Sequence, residues 1–364
     1  MRILVVASNI KIPDSHGGST HVGELIRNLR THGPTHLLGA AGSEGEEITG
    51  VGTWKGHPPT PLKHLVTLSY LPRALAAARA FKPDVIYERG SAYGLGALLS
   101  LRLGIPMLCM VLDEHYSPLS LSRASRIIAT NPELVPGWAR SKAVKVSWGA
   151  NAEMFHPELD MAAARAELGV APEEFVVGYT GSFQAWHGLD VLVEAARHLG
   201  DRPVRFLLVG DGRRREEIEG RIQDAGLTDR FIFTGRVSYE AVPGLLSASD
   251  VCVAPFDPAL HPLSRRRGFA LDPLKVFEYL AMGKPTITIR AGNIEALFTG
   301  GEHLSLVTPG DPQELADAIV WTMDHPEEAA AAAELGRERV LAHHTWAAHA
   351  AHLATLFGEM RESM

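Results

Sequence analysis

Short β-rich runs alternate with helical stretches along nearly the whole chain, and the alternation stops and restarts once, near the middle. This leaves few folds open, because strand, helix, strand in succession requires parallel strands with each helix crossing a sheet face. In the first series, residues 3–7, 84–88, 106–112, 126–129 and 144–148 read as strands. The helix after the first strand carries Val22, Leu25, Ile26 and Leu29 on one face and ends at Gly33-Pro34. Residues 74–81 and 93–103 read as helices, and residues 39–61, rich in Gly, Pro and acidic side chains, as loop. After residues 149–155 the pattern resumes, with strands at 175–179, 205–209, 231–233, 251–254, 286–289 and 304–307. Helices fall between them, notably at 189–199, 213–225 and 312–323, and a last helix covers 346–360. The predicted class is α/β, with two doubly wound Rossmann-like domains at 1–150 and 151–345 and a helix at 346–364 returning to the first.

A chain of 364 residues has ample length for two cores. The two cysteines, Cys109 and Cys252, lie inside apolar runs, which excludes a disulfide framework and fits a reducing compartment. The apolar start at residues 3–7 is too short for a signal segment, and no apolar run approaches a membrane span, so a cytoplasmic protein is expected. Net charge is −7, unevenly spread: residues 1–150 hold 16 Lys/Arg against 10 Asp/Glu, and residues 151–364 hold 19 against 32. A basic first half suits a phosphorylated acceptor or a peripheral contact with an anionic membrane, and drift in surface charge explains it equally well. No basic run is dense enough for nucleic acid.

The stretch Asp272-Pro-Leu-Lys-Val-Phe-Glu-Tyr-Leu-Ala-Met-Gly-Lys-Pro285 carries the most chemistry. Pro273 suits a first helical turn, Leu274, Phe277, Leu280 and Ala281 mark a buried face, and Gly283 with Pro285 stops the helix before a strand. Lys275 and Glu278 are three apart and share a face. A helix N-terminus, a lysine in its first turn and a carboxylate one turn on suit a phosphate plus a diol. From spacing alone, a surface ion pair on an amphipathic helix is the commoner outcome.

The stretch resembles the donor-binding motif of family 4 (group 1) glycosyltransferases, S-P-L-K-L-F-E-Y-M-A-x-G-K-P. The resemblance covers most of the chain. Thr180-Gly-Ser-Phe-Gln-Ala-Trp-His-Gly188 is similar to the family's G-S-x-x-x-W-H-G turn, Leu208-Val-Gly-Asp-Gly212 to L-V-G-D-G, and Thr234-Gly-Arg-Val237 to F-T-G-x-V. It implies the GT-B architecture, two Rossmann-like domains facing across a cleft, with the linker at Gly149–Phe155. It also implies a site. The donor diphosphate would meet Gly17, Gly18, Ser182, His187, Pro273, Leu274 and Lys275, the ribose Glu278, and the base Gly210, Arg236 and Val237. Asp272 and His21 fall at the donor sugar, and His115 with Asp113 and Lys275 at the catalytic centre; His115 is placed ahead of His21 for the histidine beside the sugar. Tyr87-Glu-Arg89 resembles a Y-x-R element at a strand end.

This sequence departs from the family in two places. Ser182 stands where many members have an arginine, leaving His187 as a weaker, pH-dependent substitute or a turn cap, and Arg265-Arg-Arg267 as another source of charge. Ala270 stands where the first glutamate of E-x7-E belongs, with Asp272 as stand-in. The implied activity is that of a retaining hexosyltransferase using a nucleoside diphosphate sugar, UDP-linked first and GDP-linked next, on a small-molecule, lipid or glycan acceptor. No D-x-D element is suitably placed, so neither a metal nor another cofactor is expected. The alternatives are a nucleotide-sugar epimerase of the same fold and a non-catalytic nucleotide-sugar binder.

Overall fold

The computed structural model describes residues 1–14, 17–52, 60–89 and 93–363. The chain forms two compact units, residues 1–148 with 346–364, and residues 149–345.

The first unit holds strands β1 (Ile3–Val6), β2 (Thr35–Gly39), β3 (Ile48–Gly50), β4 (Val85–Arg89), β5 (Met107–Val111), β6 (Arg126–Ala129) and β7 (Ala143–Lys145). They form one parallel sheet in the order β3-β2-β1-β4-β5-β6-β7. Its helices up to the interdomain crossing are α1 (Gly17–Leu29), α2 (Thr60–Phe81), α3 (Leu95–Leu103) and α4 (Pro118–Arg123). The second unit holds α5 (Met161–Leu168), α6 (Leu189–His198), α7 (Arg215–Asp224), α8 (Val242–Leu246), α9 (Pro262–Arg267), α10 (Leu274–Ala281), α11 (Gly292–Leu297), α12 (Pro312–Asp324) and α13 (Pro326–His343). Its strands are β8 (Phe175–Thr180), β9 (Val204–Val209), β10 (Phe231–Gly235), β11 (Val251–Ala254), β12 (Thr286–Ile289) and β13 (Ser305–Val307), parallel in the order β10-β9-β8-β11-β12-β13. The last helix, α14 (Trp346–Glu362), belongs to the first unit.

The strands β1, β4, β5, β8 and β11 are buried along almost their whole length, as central strands covered on both faces must be. In the first unit Val22, Leu25, Ile26 and Leu29 of α1 meet Leu353, Leu356, Phe357 and Met360 of α14 in one core with β1 and β4. In the second unit the core gathers β8, β9 and β11 with α6, α7 and α12 around Phe183, Phe206, Leu192 and Ile319.

Several boundaries differ from the sequence expectation. Gly17 and Gly18 are the first residues of α1. The helix expected at 74–81 begins at Thr60 and carries Pro72 inside it. The stretch expected as loop contains β3, and its residues 53–59 lie outside the described residues. The strand β2 was not expected; it follows Pro34 directly and is almost wholly buried. The unit boundary falls at Gly149 rather than after Ala150, because Ala150 N–H donates to His344 O at 2.9 Å and a side chain at Gly149 would collide with the His344 carbonyl.

Candidate functional site

In a parallel α/β sheet ligands gather at the carboxyl ends of the strands. In the second unit those ends are glycine turns tied to one another. Gly181 N–H donates to Val209 O at 3.0 Å, Phe183 N–H to Asp211 O at 3.1 Å, and Gly210 N–H to Gly235 O at 3.1 Å. Gly210 has φ +140°, and a side chain there would run into the Gly181 carbonyl. The turns after β8, β9 and β10 therefore nest backbone on backbone, which only glycine permits. Val237 is half-buried beside this edge and the Arg236 side chain is exposed.

Helix α10 begins at the same edge. Pro273 is its N-cap, with φ −81° and ψ 103°, so it stands just before the helix rather than in its first turn. No side chain caps the helix, and of its first-turn amides Val276 N–H donates to Pro273 O at 3.0 Å. Lys275 and Glu278 are 8% and 6% exposed, which rules out the surface ion pair. Glu278 Oε1 accepts a hydrogen bond from the Tyr239 hydroxyl at 3.1 Å. Among the described residues Lys275 Nζ has no hydrogen-bond partner, and it lies 4.1 Å from the centre of the Tyr179 ring and 5.1 Å from that of Phe256. Burial pulls its pKa down to about 7 against the opposing pull of Glu278. Asp272 is buried, and its Oδ1 accepts from Asn293 Nδ2 at 2.7 Å. Leu274 is half-buried at the helix start.

The turn after β8 holds Ser182 and His187. Ser182 is exposed. Its carbonyl accepts from the Tyr179 hydroxyl at 2.9 Å and from His187 Nδ1 at 2.5 Å. Bonding to a carbonyl puts the proton on Nδ1. Burial first, and then the charge of Lys275, push the His187 pKa down to about 3. In this structure His187 locks the turn through Ser182 O, the turn-cap side of the expectation, and its burial favours the neutral form. Arg265, Arg266 and Arg267 are exposed at the end of α9.

In the first unit, the carboxyl edge carries Arg89 at the end of β4 and Asp113 and His115 just after β5. His115 is exposed, its side chain 77% accessible. Its backbone N–H donates to Asp113 Oδ1 at 2.7 Å, and its Nδ1 lies 3.5 Å from the same oxygen. Gly17 is exposed and a side chain there would meet nothing within 4 Å. His21 is fully buried, its ring 4.8 Å from Trp148 and 5.2 Å from Trp346, and its Nδ1 accepts from Arg89 Nε at 3.3 Å. Burial and then Arg89 hold its pKa well below the usual range. This burial lends no support to the expected contact of His21 with a donor sugar.

Sequence reasoning missed Tyr179, Tyr239, Phe256 and Asn293. Tyr179 and Phe256 follow the rule of strand ends, since one lies in the last turn of β8 and the other just beyond β11. Tyr239 opens a 3-10 turn and Asn293 lies in the first turn of α11, and neither carried such a signal.

Residues 174–325 match the model of the family described as glycosyl transferases group 1. Over 192 residues the chain is 30% identical to the 2-deoxystreptamine glucosyltransferase of Streptomyces kanamyceticus, a match covering 51% of this chain and 47% of that enzyme. It is 27% identical over 304 residues to the lipopolysaccharide core biosynthesis mannosyltransferase LpsB of Rhizobium meliloti, covering 80% of this chain and 82% of that one. The chain thus spans about half the length of the first of these relatives. Among solved structures, HepE of Anabaena in complex with UDP and glucose superimposes with a TM-score of 0.79 at 20% identity, over 98% of this chain and 99% of that one.

Proposed function

The chain belongs to the group 1 glycosyltransferases, whose family domain it carries at residues 174–325, and from that premise we propose that it transfers a sugar from a nucleoside diphosphate sugar to a hydroxyl acceptor. The observation that carries this reading is Lys275. A buried ammonium group without a hydrogen-bond partner, beside an uncapped helix N-terminus, is a site waiting for an anion. Glu278, one turn on, is placed for the vicinal hydroxyls of a ribose, and the nested glycine turns at Gly181, Gly210 and Gly235 offer backbone groups to a base. A uridine donor is the first to test, since HepE has this fold and was solved with UDP and glucose, and a guanosine donor is the second.

In this reading the anomeric configuration is retained, and the leaving diphosphate oxygen takes the acceptor's proton as the new bond forms. Protein catalysis is then diphosphate stabilisation and positioning, with neither a protein nucleophile nor a metal. In the first unit the exposed His115 is the residue proposed to steady the acceptor. The relatives named above act on a deoxystreptamine and in lipopolysaccharide core synthesis, so aminocyclitols and core oligosaccharides head the acceptor panel.

The test is incubation of the protein with radiolabelled UDP-, GDP- and ADP-sugars and these acceptors, with and without EDTA, followed by the anomeric coupling in the product. Transfer with retention and indifference to EDTA is expected. A protein that neither binds nor consumes any of these donors sinks the reading, and loss of turnover in EDTA sinks its metal-independent part. His115→Ala should lower kcat by about two orders of magnitude, as loss of one positioned polar group does; normal turnover removes it from the mechanism.

A further inference from the structure

A lysine ammonium group is ordinarily met by water or by a carboxylate. Among the described residues no carboxylate is hydrogen-bonded to the buried Lys275 Nζ, and two aromatic faces lie beside it, Tyr179 at 4.1 Å and Phe256 at 5.1 Å. The backbone of Gly181 closes the remaining side so tightly that a Cβ there would stand 2.8 Å from Nζ. Both rings are themselves fixed. The Tyr179 hydroxyl donates to Ser182 O and stands 3.2 Å from His187 Nδ1. Phe256 stacks on Trp186 with ring centres 5.7 Å apart and planes 18° apart.

We infer that Tyr179 and Phe256 are positioning residues that keep Lys275 dry and without a hydrogen-bonded counter-ion, so that the donor's diphosphate brings a proton onto Lys275 as it binds. The inference rests on the donor reading above and gives that site a pH dependence. The magnitudes favour it. A π face stabilises a cation only modestly, whereas removing an ammonium from water costs far more. Without a ligand, burial wins.

The titratable groups facing Nζ agree. Glu278, on the lysine's own helix, favours the charged form but does not restore it fully. Tyr179, from β8, is held protonated by its burial and supplies no negative charge. His187, in the turn after β8, is neutral, with His261 adding to the cost of charging it. Lys275 is thereby drawn to about 7 in the free protein. The diphosphate of a sugar nucleotide carries charges that do not titrate near neutrality, so its arrival favours the ammonium form and the proton comes from solvent.

The experiment is calorimetric titration of the full chain with UDP-glucose, GDP-mannose and ADP-glucose, in paired buffers of different ionisation enthalpy at pH 5.5 and pH 8. The donor that binds should take up close to one proton at pH 8 and close to none at pH 5.5. Its affinity should fall about tenfold for each pH unit above 7. Lys275→Arg should abolish the uptake, since a guanidinium stays charged. Tyr179→Phe keeps the ring and should keep the uptake, while Tyr179→Leu and Phe256→Leu admit water and should lower it, with thermal melts confirming the fold. Binding without proton uptake at pH 8 overturns the inference and leaves the donor reading standing. Binding by none of the three overturns both. Folded leucine variants with undiminished uptake remove the positioning role.

Discussion

At the scale of single residues, Glu278 makes the sharpest prediction. It is buried and accepts a hydrogen bond from Tyr239, so Glu278→Gln keeps the volume and one acceptor while removing the charge. A hydrogen bond to a charged group is worth about 1.5–3 kcal/mol. Nucleotide affinity should therefore fall roughly 10- to 150-fold in a titration, with the melting temperature little changed; unchanged affinity would remove Glu278 from the site. That Lys275 and Glu278 share a helix face was legible from their spacing, but spacing alone favoured a surface ion pair, and their burial was not legible. Nor was the state of His187. Its neutrality comes from burial and from Lys275, far away in sequence, and a turn read in isolation contains neither cause.

At the scale of elements, two buried groups respond to pH in opposite directions. His349 on α14 donates from Nδ1 to Ser147 O, and its burial draws its pKa to about 4; His21 on α1, beside it, is also held low. A histidine with a depressed folded pKa contributes stability that is complete above its ordinary value and lost as pH falls toward the folded one. By pH 5 His349 gives up about 2 kcal/mol, and His21 acts in the same direction. The urea midpoint of the first unit should drop between pH 7.5 and 5, and His349→Asn, which keeps a donor for Ser147, should flatten that slope; an unchanged wild-type midpoint would refute this. Glu88 runs the other way. Its Oε1 accepts from Gly96 N–H at 2.9 Å in the first turn of α3, and burial raises it to about 7. Ionising it costs stability as pH rises from its ordinary range through 7. Glu88→Gln keeps the acceptor and should raise the unfolding free energy at pH 8 by about 1–3 kcal/mol, but not at pH 5. Element boundaries were legible where glycine ended a periodic run, as at Gly104 and Gly283. They were misread where a helix tolerated proline, as at Pro72, and where a strand began without a turn residue of its own, as at Thr35.

At the scale of the whole molecule, the two sheets were legible because each repeats the same β/α alternation, whereas the burial of His21 was not, because its cover comes from the opposite end of the chain. Trp346, Ala350, Leu353, Phe357 and Met360 are all buried, and most of them complete the core formed by α1 and β1. The second unit has its own core, to which α14 contributes nothing. Deleting residues 346–364 therefore uncovers the apolar face of α1, the indole of Trp148 and the His21–Arg89 pair, with no replacement. Fully burying one such side chain is worth about 1.5–3 kcal/mol, and a domain's whole stability is about 5–15 kcal/mol, so losing five of them removes most or all of the first unit's margin. The second unit keeps every group of the nucleotide constellation, from Gly181 to Glu278. The truncated chain should therefore lose the first unit's unfolding transition and its amide protection in β1 and β4, yet still bind nucleotide within a few-fold of the full chain. Calorimetry and hydrogen exchange on the two chains decide it: loss of nucleotide binding together with protection in β8 and β9 would mean that the second unit does not stand on its own core.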